Sequence, residues 1–354
     1  MSTPGLHTTV TRMWQRRGPL ALLFTPLSLL FYLLWWVRRL IWRTGLCRPE
    51  TLPVPVIVVG NLVAGGSGKT PLVLWLFDAL RAAGMHPGII SRGYGGTGSA
   101  HGMLVDAATP AQQGGAEPCL LAQRTGQTLA IGRDRVAAAR RLLQHLPECN
   151  VLISDDGLQH LRLPRQFEIV VFDRRGAGNG WLLPAGPLRE PLARLQQIDA
   201  LVCNGCSSAA MTGLKEQVLP PQFQMQLQAQ AAWQLLAPSQ QRPLASFVHQ
   251  NILAAAGIGD PARFFAMLTA QGLPCETLAL PDHYAFADNP FAGHPAEIIL
   301  ITEKDAVKCS TLADPRIWVV PVRAEINSEI AAVQNTAASA VSLVSLLIEK
   351  LNSD

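Results

Sequence analysis

The sequence predicts an α/β protein of the P-loop NTPase type. Its mostly parallel sheet is flanked by helices, with a smaller α/β lobe towards the C-terminus and a membrane-associated N-terminal helix. Three observations predict this. The β-branched run Val56 to Val59 leads into a glycine turn and then a helical stretch from Pro71 to Leu80, the order strand, turn, helix. Short apolar runs recur at Gly88 to Ser91, Val151 to Asp155, Glu168 to Phe172 and Ile198 to Cys203, the pattern of strands covered on both faces. The stretch from Leu20 to Trp36 is almost wholly apolar and has arginines on both sides.

Composition bounds the rest. At 354 residues and 49% hydrophobic, the chain has material for two domains and a sizeable core. The formal charge of +4 is modest and the basic residues come in pairs such as Arg16-Arg17 and Arg38-Arg39, which disfavours nucleic acid as a partner and favours an anionic membrane surface. No obligate protein partner is evident. Seven cysteines scattered from Cys47 to Cys309 make no disulfide framework. Cys203 and Cys206 lack the second pair or the histidines that zinc requires, so they are expected as buried free thiols.

In order along the chain, residues 1–48 form the membrane-associated segment. A spanning helix needs about 20 apolar residues, and this run falls just short and contains Thr25, Pro26 and Ser28. A helix in the inner face of a membrane is expected, with Trp35, Trp36 and Trp42 at headgroup level. A buried N-terminal helix of a soluble protein is the alternative.

The core is drawn at residues 49–213. Its first turn, Val63, Ala64, Gly65, Gly66, Ser67, Gly68, Lys69 and Thr70, would present backbone N–H groups to phosphates at a helix N-terminus, with Lys69 on the terminal phosphates and Thr70 on Mg²⁺. Val63 stands where the common phosphate-loop pattern has glycine. Arg92 opens a glycine-rich loop at a strand end, where open α/β sheets bind ligands. Residues 111–119 are read as a loop before a helical stretch from Cys119 to Arg124. Arg133 and Arg135 sit unfavourably at a helix start, which suggests service to an anion. Asp155 and Asp156 end a strand as paired acids that a cation would stabilise. The loop from Trp181 to Pro191 is long and stiffened by proline. Residues 214–243 are read as linking strands and 244–354 as the C-terminal lobe, closed by a helix from Ala331 to Leu351.

Together the motifs resemble the tetraacyldisaccharide 4′-kinase family, the lipid A kinases of the Gram-negative inner membrane. The resemblance covers nearly the whole chain. It rests on Val54 to Leu62, Gly65 to Pro71, Ser91 to Gly95, Asp155 to His160, Leu183 to Pro191, Pro281 to His283 and Thr302 to Lys308. It implies ATP and Mg²⁺, an acylated disaccharide 1-phosphate as acceptor, and a site on the cytoplasmic face of the inner membrane.

By position it also implies that Asp155, Asp156 and Glu190 join Thr70 at the metal, and that Asn61, Arg92, Arg133, Arg135, Gln159 and His160 contact substrate or phosphate. His283 matches the histidine that pairs with the family's catalytic aspartate. That aspartate is absent, because the family's Gly-Asp-Glu-Pro is here Gly115, Ala116, Glu117 and Pro118. A base contributes about 10² to 10⁴ in rate, so a slow enzyme is expected. Glu117 would substitute if the loop shifted, helped by the backbone freedom of Gly114 and Gly115. The alternative is an impaired homologue that binds ATP and lipid as a regulatory protein. A nucleotide switch would need a base-reading motif such as Asn-Lys-x-Asp, and none is present.

Overall fold

The computed structural model describes residues 6–206, 219–309, 312–327 and 342–353. In chain order the helices are α1 (Leu6–Gln15), α2 (Pro19–Leu23), α3 (Thr25–Arg43), α4 (Lys69–Ala82), α5 (Ala111–Gly114), α6 (Ala116–Thr125), α7 (Arg135–His145), α8 (Pro261–Ala270), α9 (Glu303–Ala306) and α10 (Leu343–Ser353). The strands are β1 (Val56–Gly60), β2 (Pro87–Ser91), β3 (Met103–Val105), β4 (Leu129–Ile131), β5 (Val151–Asp155), β6 (Phe167–Asp173), β7 (Ala200–Asn204), β8 (Gln222–Ala229), β9 (Ala232–Gln234), β10 (Ala237–Arg242), β11 (Ile252–Ala256), β12 (Glu276–Ala279), β13 (Ile298–Thr302), β14 (Ile317–Val320) and β15 (Val322–Asn327).

Packing divides the chain into two units, one of residues 1–91, 135–226 and 326–354, the other of residues 92–134 and 227–325. The consecutive segments expected from sequence do not follow this division. From sequence the stretch 92–134 falls within the core drawn at 49–213. It groups instead with 227–325, and two ion pairs within that unit, Arg124 with Glu303 and Glu117 with Lys304, join the two stretches.

In the first unit, β8, β7, β6, β1, β5 and β2 lie side by side in that order, all parallel. Val56 to Val59 are fully buried, as an apolar run covered on both faces should be, and burial of such side chains is worth about 1.5 to 3 kcal/mol each. The order places β5 directly against β1, with Asp155 level with Val59. The acid at the tip of β5 therefore stands beside the chain as it leaves β1 for the phosphate loop.

α3 is exposed along most of its apolar length, including Leu29, Leu30, Leu33, Leu34 and Trp36, and its one residue classed as buried is Ser28. No helix among the described residues is long and apolar enough to cross a membrane. Of the expected closing helix, residues 342–351 are described and helical from Leu343, while 331–341 lie outside the described residues.

The second unit carries a mixed sheet in the order β10, β9, β14, β13, β11, β12, parallel from β14 to β12 and antiparallel at β9 and β10. The antiparallel pair β3 and β4 belongs to the same unit. Residues 111–119, expected as a loop, are helical over α5 and the start of α6. Gly115 uses glycine's backbone freedom, with φ +84°, and both glycines also permit close packing. A Cβ on Gly115 would lie 2.7 Å from the Tyr94 carbonyl oxygen, and one on Gly114 would lie 2.7 Å from Cys119 Sγ.

Candidate active site

The phosphate loop is built by hydrogen bonds from three directions. Asn61 is fully buried and its Nδ2 donates to the Gly65 carbonyl at 3.0 Å. Asn204, at the end of β7, donates through Nδ2 to the Ser67 carbonyl at 3.0 Å. Arg175, clamped by Asp173, donates from Nη2 to the Gly66 carbonyl at 2.6 Å. With these carbonyls held, Gly68 adopts φ +83° and α4 begins at Lys69 with no side chain capping it. A Cβ at Gly68 would lie 2.0 Å from Asn204 Nδ2, so only glycine fits. An uncapped helix start is an anion site by virtue of its free N–H groups and dipole. The buried Ser67 hydroxyl points to the same use, having no hydrogen-bond partner among the described residues.

Lys69, 13% exposed at the side chain, forms an ion pair with Asp156 at 3.4 Å, and Arg189 approaches the other oxygen of that carboxylate at 3.8 Å. Burial opposes ionisation of Asp156, but Lys69, Arg189 and Arg135 outweigh it and hold the carboxyl below its ordinary value. Asp155 is 2% exposed and accepts from Ser91 Oγ at 3.2 Å. Arg135 is buried, and its Nη2 lies 3.5 Å from the Asp156 carbonyl while its backbone N–H donates to His160 Nε2 at 3.4 Å. Gln159 links Glu190 and the Asn61 carbonyl, at 2.9 and 3.3 Å.

The resemblance gathers Thr70, Asp155, Asp156 and Glu190 at a metal. Mg²⁺ normally takes one or two carboxylates and completes its shell with substrate phosphates and water. Asp155 and Asp156 beside an uncapped helix start fit that chemistry. A cage made of protein alone does not fit, since no three His, Cys, Asp or Glu residues among those described converge on a metal position. Glu190 is held instead by Gln159 and by Arg194, whose Nε lies 3.6 Å away.

Arg133 and Arg135 are both expected at a helix start; α7 begins at Arg135, and Arg133 is exposed and belongs to the second unit. Arg92 is also exposed and opens that unit. Neither Cys203 nor Cys206 is in a disulfide, and a hydrogen bond from Cys203 lowers the pKa of Cys206. Cys203 is buried and Cys206 only partly so.

The groups that the resemblance assigns to proton transfer lie in the second unit. Ala116 and Glu117 open α6. The Glu117 carboxylate accepts from Lys304 Nζ at 2.9 Å. Burial would lower the Lys304 pKa, but Glu117, Asp282 and Asp305 outweigh it and raise it. His283 has φ +61°, its N–H points at the Gly257 carbonyl, and its ring packs 5.6 Å from that of Tyr94. Gly257 N–H in turn donates to Asp305, which is fully buried and also bonded to Thr302 and Lys308.

Sequence reading gives no role to Asn204, Arg175, Arg189 or Lys304; Arg189 and Lys304 lie within the stretches Leu183 to Pro191 and Thr302 to Lys308 that carry the resemblance, whereas Asn204 and Arg175 are single residues with no spacing that marks them. Asn204→Asp tests the loop geometry. It keeps the shape, removes the donor and faces an acceptor to the Ser67 carbonyl, so the Kd for ATP is expected to rise about tenfold. An unchanged Kd would show that the loop does not depend on this bond.

Comparison with known proteins gives a consistent result. A family model described as "Tetraacyldisaccharide-1-P 4'-kinase" matches residues 20–338. The tetraacyldisaccharide 4′-kinase of Janthinobacterium sp. (strain Marseille) is 50% identical over 339 residues, covering 92% of this chain and 94% of that one. Its counterpart in Herminiimonas arsenicoxydans is 49% identical over 341 residues, covering 90% and 92%. Among solved structures, LpxK from Aquifex aeolicus in complex with ATP matches with a TM-score of 0.73 at 29% identity, covering 87% of this chain and 95% of that one.

Proposed function

This chain belongs to the tetraacyldisaccharide 4′-kinase family, and on that premise we propose that it transfers the γ-phosphoryl group of ATP to the 4′-hydroxyl of a tetraacylated disaccharide 1-phosphate, a step of lipid A synthesis. The observation that carries this reading is the phosphate loop itself: an α4 start with no side-chain cap, Gly68 in the left-handed region, a Ser67 hydroxyl without a hydrogen-bond partner among the described residues, and Lys69 poised on Asp156.

Phosphoryl transfer asks a protein mainly for position and for positive charge around the moving group. Here the N–H groups of residues 65–70 and the Lys69 ammonium serve the phosphates. Lys69 exchanges its contact with Asp156 for phosphate oxygen when the nucleotide arrives. Thr70, Asp155 and Asp156 would hold Mg²⁺, which when bound neutralises charge between the β and γ phosphates. Arg189 keeps Asp156 charged, and Arg135 supports the loop that carries it.

Proton removal from the acceptor is the weak point. The position expected to hold an aspartate is a methyl group, and Glu117, the expected substitute, is engaged by Lys304 on the rigid first turn of a helix. A carboxylate committed to an ammonium is a poor proton acceptor. The enzyme therefore works chiefly by positioning and electrostatics, with His283 and Tyr94 beside the site where the missing base would stand.

The acceptor's acyl chains place the reaction at a membrane surface, which we assign to the cytoplasmic face of the inner membrane. The exposed apolar length of α2 and α3, with Arg38, Arg39 and Arg43 at its end, supports peripheral docking. In the test, purified protein in detergent should move labelled phosphate from ATP to the disaccharide lipid and should co-sediment with anionic phospholipid vesicles. Absence of transfer with ATP and Mg²⁺ present would refute the kinase reading for this chain.

A further inference from the structure

We propose that α3 is a positioning element of the catalytic site, with Ser28 as its pin, and not only a membrane anchor; the proposal rests on the kinase reading above. In α3 the apolar residues lie largely exposed and the buried residue is a serine. That inversion calls for a reason, and the Ser28 hydroxyl supplies it. Oγ accepts from the Ala185 N–H at 3.0 Å and donates to the Leu182 carbonyl at 2.9 Å, closer than its own helix's Phe24 carbonyl at 3.4 Å.

The same loop is gripped at two more points. Trp14 Nε1 donates to the Pro184 carbonyl at 3.0 Å, and Arg17 Nε to the Asn179 carbonyl at 2.9 Å. Asn179 ties the loop to itself, bonding the Trp181 N–H and the Ala185 carbonyl.

From this grip the loop runs straight into the phosphate site. Leu188 bridges antiparallel to Val63, the Ala64 N–H donates to the Pro187 carbonyl at 2.8 Å, and the Arg189 N–H donates to the Leu62 carbonyl at 2.7 Å. The next side chain, Arg189, faces Asp156. A second link joins Arg38 of α3 to the Gln159 carbonyl at 2.8 Å, on the loop that follows the paired aspartates. The membrane-facing helices thus fix both strands of chain that frame Lys69 and Asp156. Loosening Ser28 frees an N–H and a carbonyl in the loop that sets Arg189, and small displacements of positioning groups cost one to two orders of magnitude in rate.

The experiment uses the full chain with Ser28→Ala, Ser28→Thr and Trp14→Phe. Each is assayed for kcat and KM with the disaccharide lipid in detergent micelles, for nucleotide affinity, and for binding to phosphatidylglycerol vesicles. Ser28→Ala and Trp14→Phe are expected to lower kcat about tenfold with vesicle binding unchanged, and Ser28→Thr, which keeps the hydroxyl, to recover kcat to within about twofold. A helix that only anchors would give the opposite pattern, with kcat in micelles untouched by Ser28→Ala, and that result overturns the proposal. So does a Ser28→Thr protein as slow as Ser28→Ala. Should Ser28→Ala not fold, Trp14→Phe decides alone by the same criterion. An unmodified protein that transfers no phosphate overturns the kinase reading and this inference together, whereas an active one with normal Ser28→Ala turnover overturns this inference only.

Discussion

Lys69→Ala is expected to lower kcat/KM for phosphoryl transfer about a thousandfold or more, while the protein remains folded. The ammonium is the one cation that the phosphate loop itself contributes, and the charge that develops on the transferring group has no replacement for it from the loop's neutral N–H donors. Folding should survive. The Asp156 side chain is 28% exposed and keeps Arg189 at 3.8 Å, so removing Lys69 does not strand a fully buried charge. Parallel measurements of turnover and thermal midpoint check this. Turnover within tenfold of the unmodified protein would remove the central argument, and a collapse in the midpoint would assign Lys69 to stability instead.

Ala116→Asp is expected to raise kcat by roughly 10- to 1000-fold with little change in ATP affinity, because it would supply the general base that the resemblance assigns to this position. The structure makes the site hospitable. Residue 116 is the first of α6, where an acid in the first turn is favoured by about 0.3 to 1 kcal/mol. Its neighbour Gly115 packs against Tyr94, whose ring meets His283. His283→Ala should therefore cost more in the Ala116→Asp background than in the present sequence, a coupling that a double-mutant cycle measures. Glu117→Gln separates the alternatives. If Glu117 is the working base despite Lys304, Glu117→Gln stops the enzyme and Ala116→Asp adds nothing. A rate unmoved by any of the three variants would sink the base argument.

The strand runs at Val56, Val151 and Glu168 were legible because a parallel strand covered on both faces must be apolar throughout, a constraint each segment carries alone. The glycine turn and the α4 start were legible for a similar reason, since a phosphate cradle needs glycine where the backbone turns left-handed and a helix immediately after. Failures came where the deciding partner is distant. Residues 111–119 read as a loop because two glycines, a proline and few apolar residues signal one locally. They are helical over 111–114 and from 116, and Gly114 and Gly115 let the segment pack closely against Val105 and the Tyr94 carbonyl outside it. The ion pair between Glu117 and Lys304, far along the chain, has no local signal either.

By itself the sequence determined the element types of the core, the phosphate loop and the family to which the chain belongs, all of which reside in residue identity or in spacings of a few residues. Tertiary structure alone decided that β5 lies against β1 and so brings Asp155 level with Val59. It also decided that residues 92–134 join 227–325 in one unit, that Asn204 and Arg175 hold the loop carbonyls, and that the serine of an apolar helix is its buried residue. The physical reason is common to all four. Strand neighbours and side-chain partners are chosen by shape and hydrogen-bond satisfaction across the folded chain, where an unpaired buried N–H or carbonyl is costly, and no local pattern encodes which distant residue will meet that need.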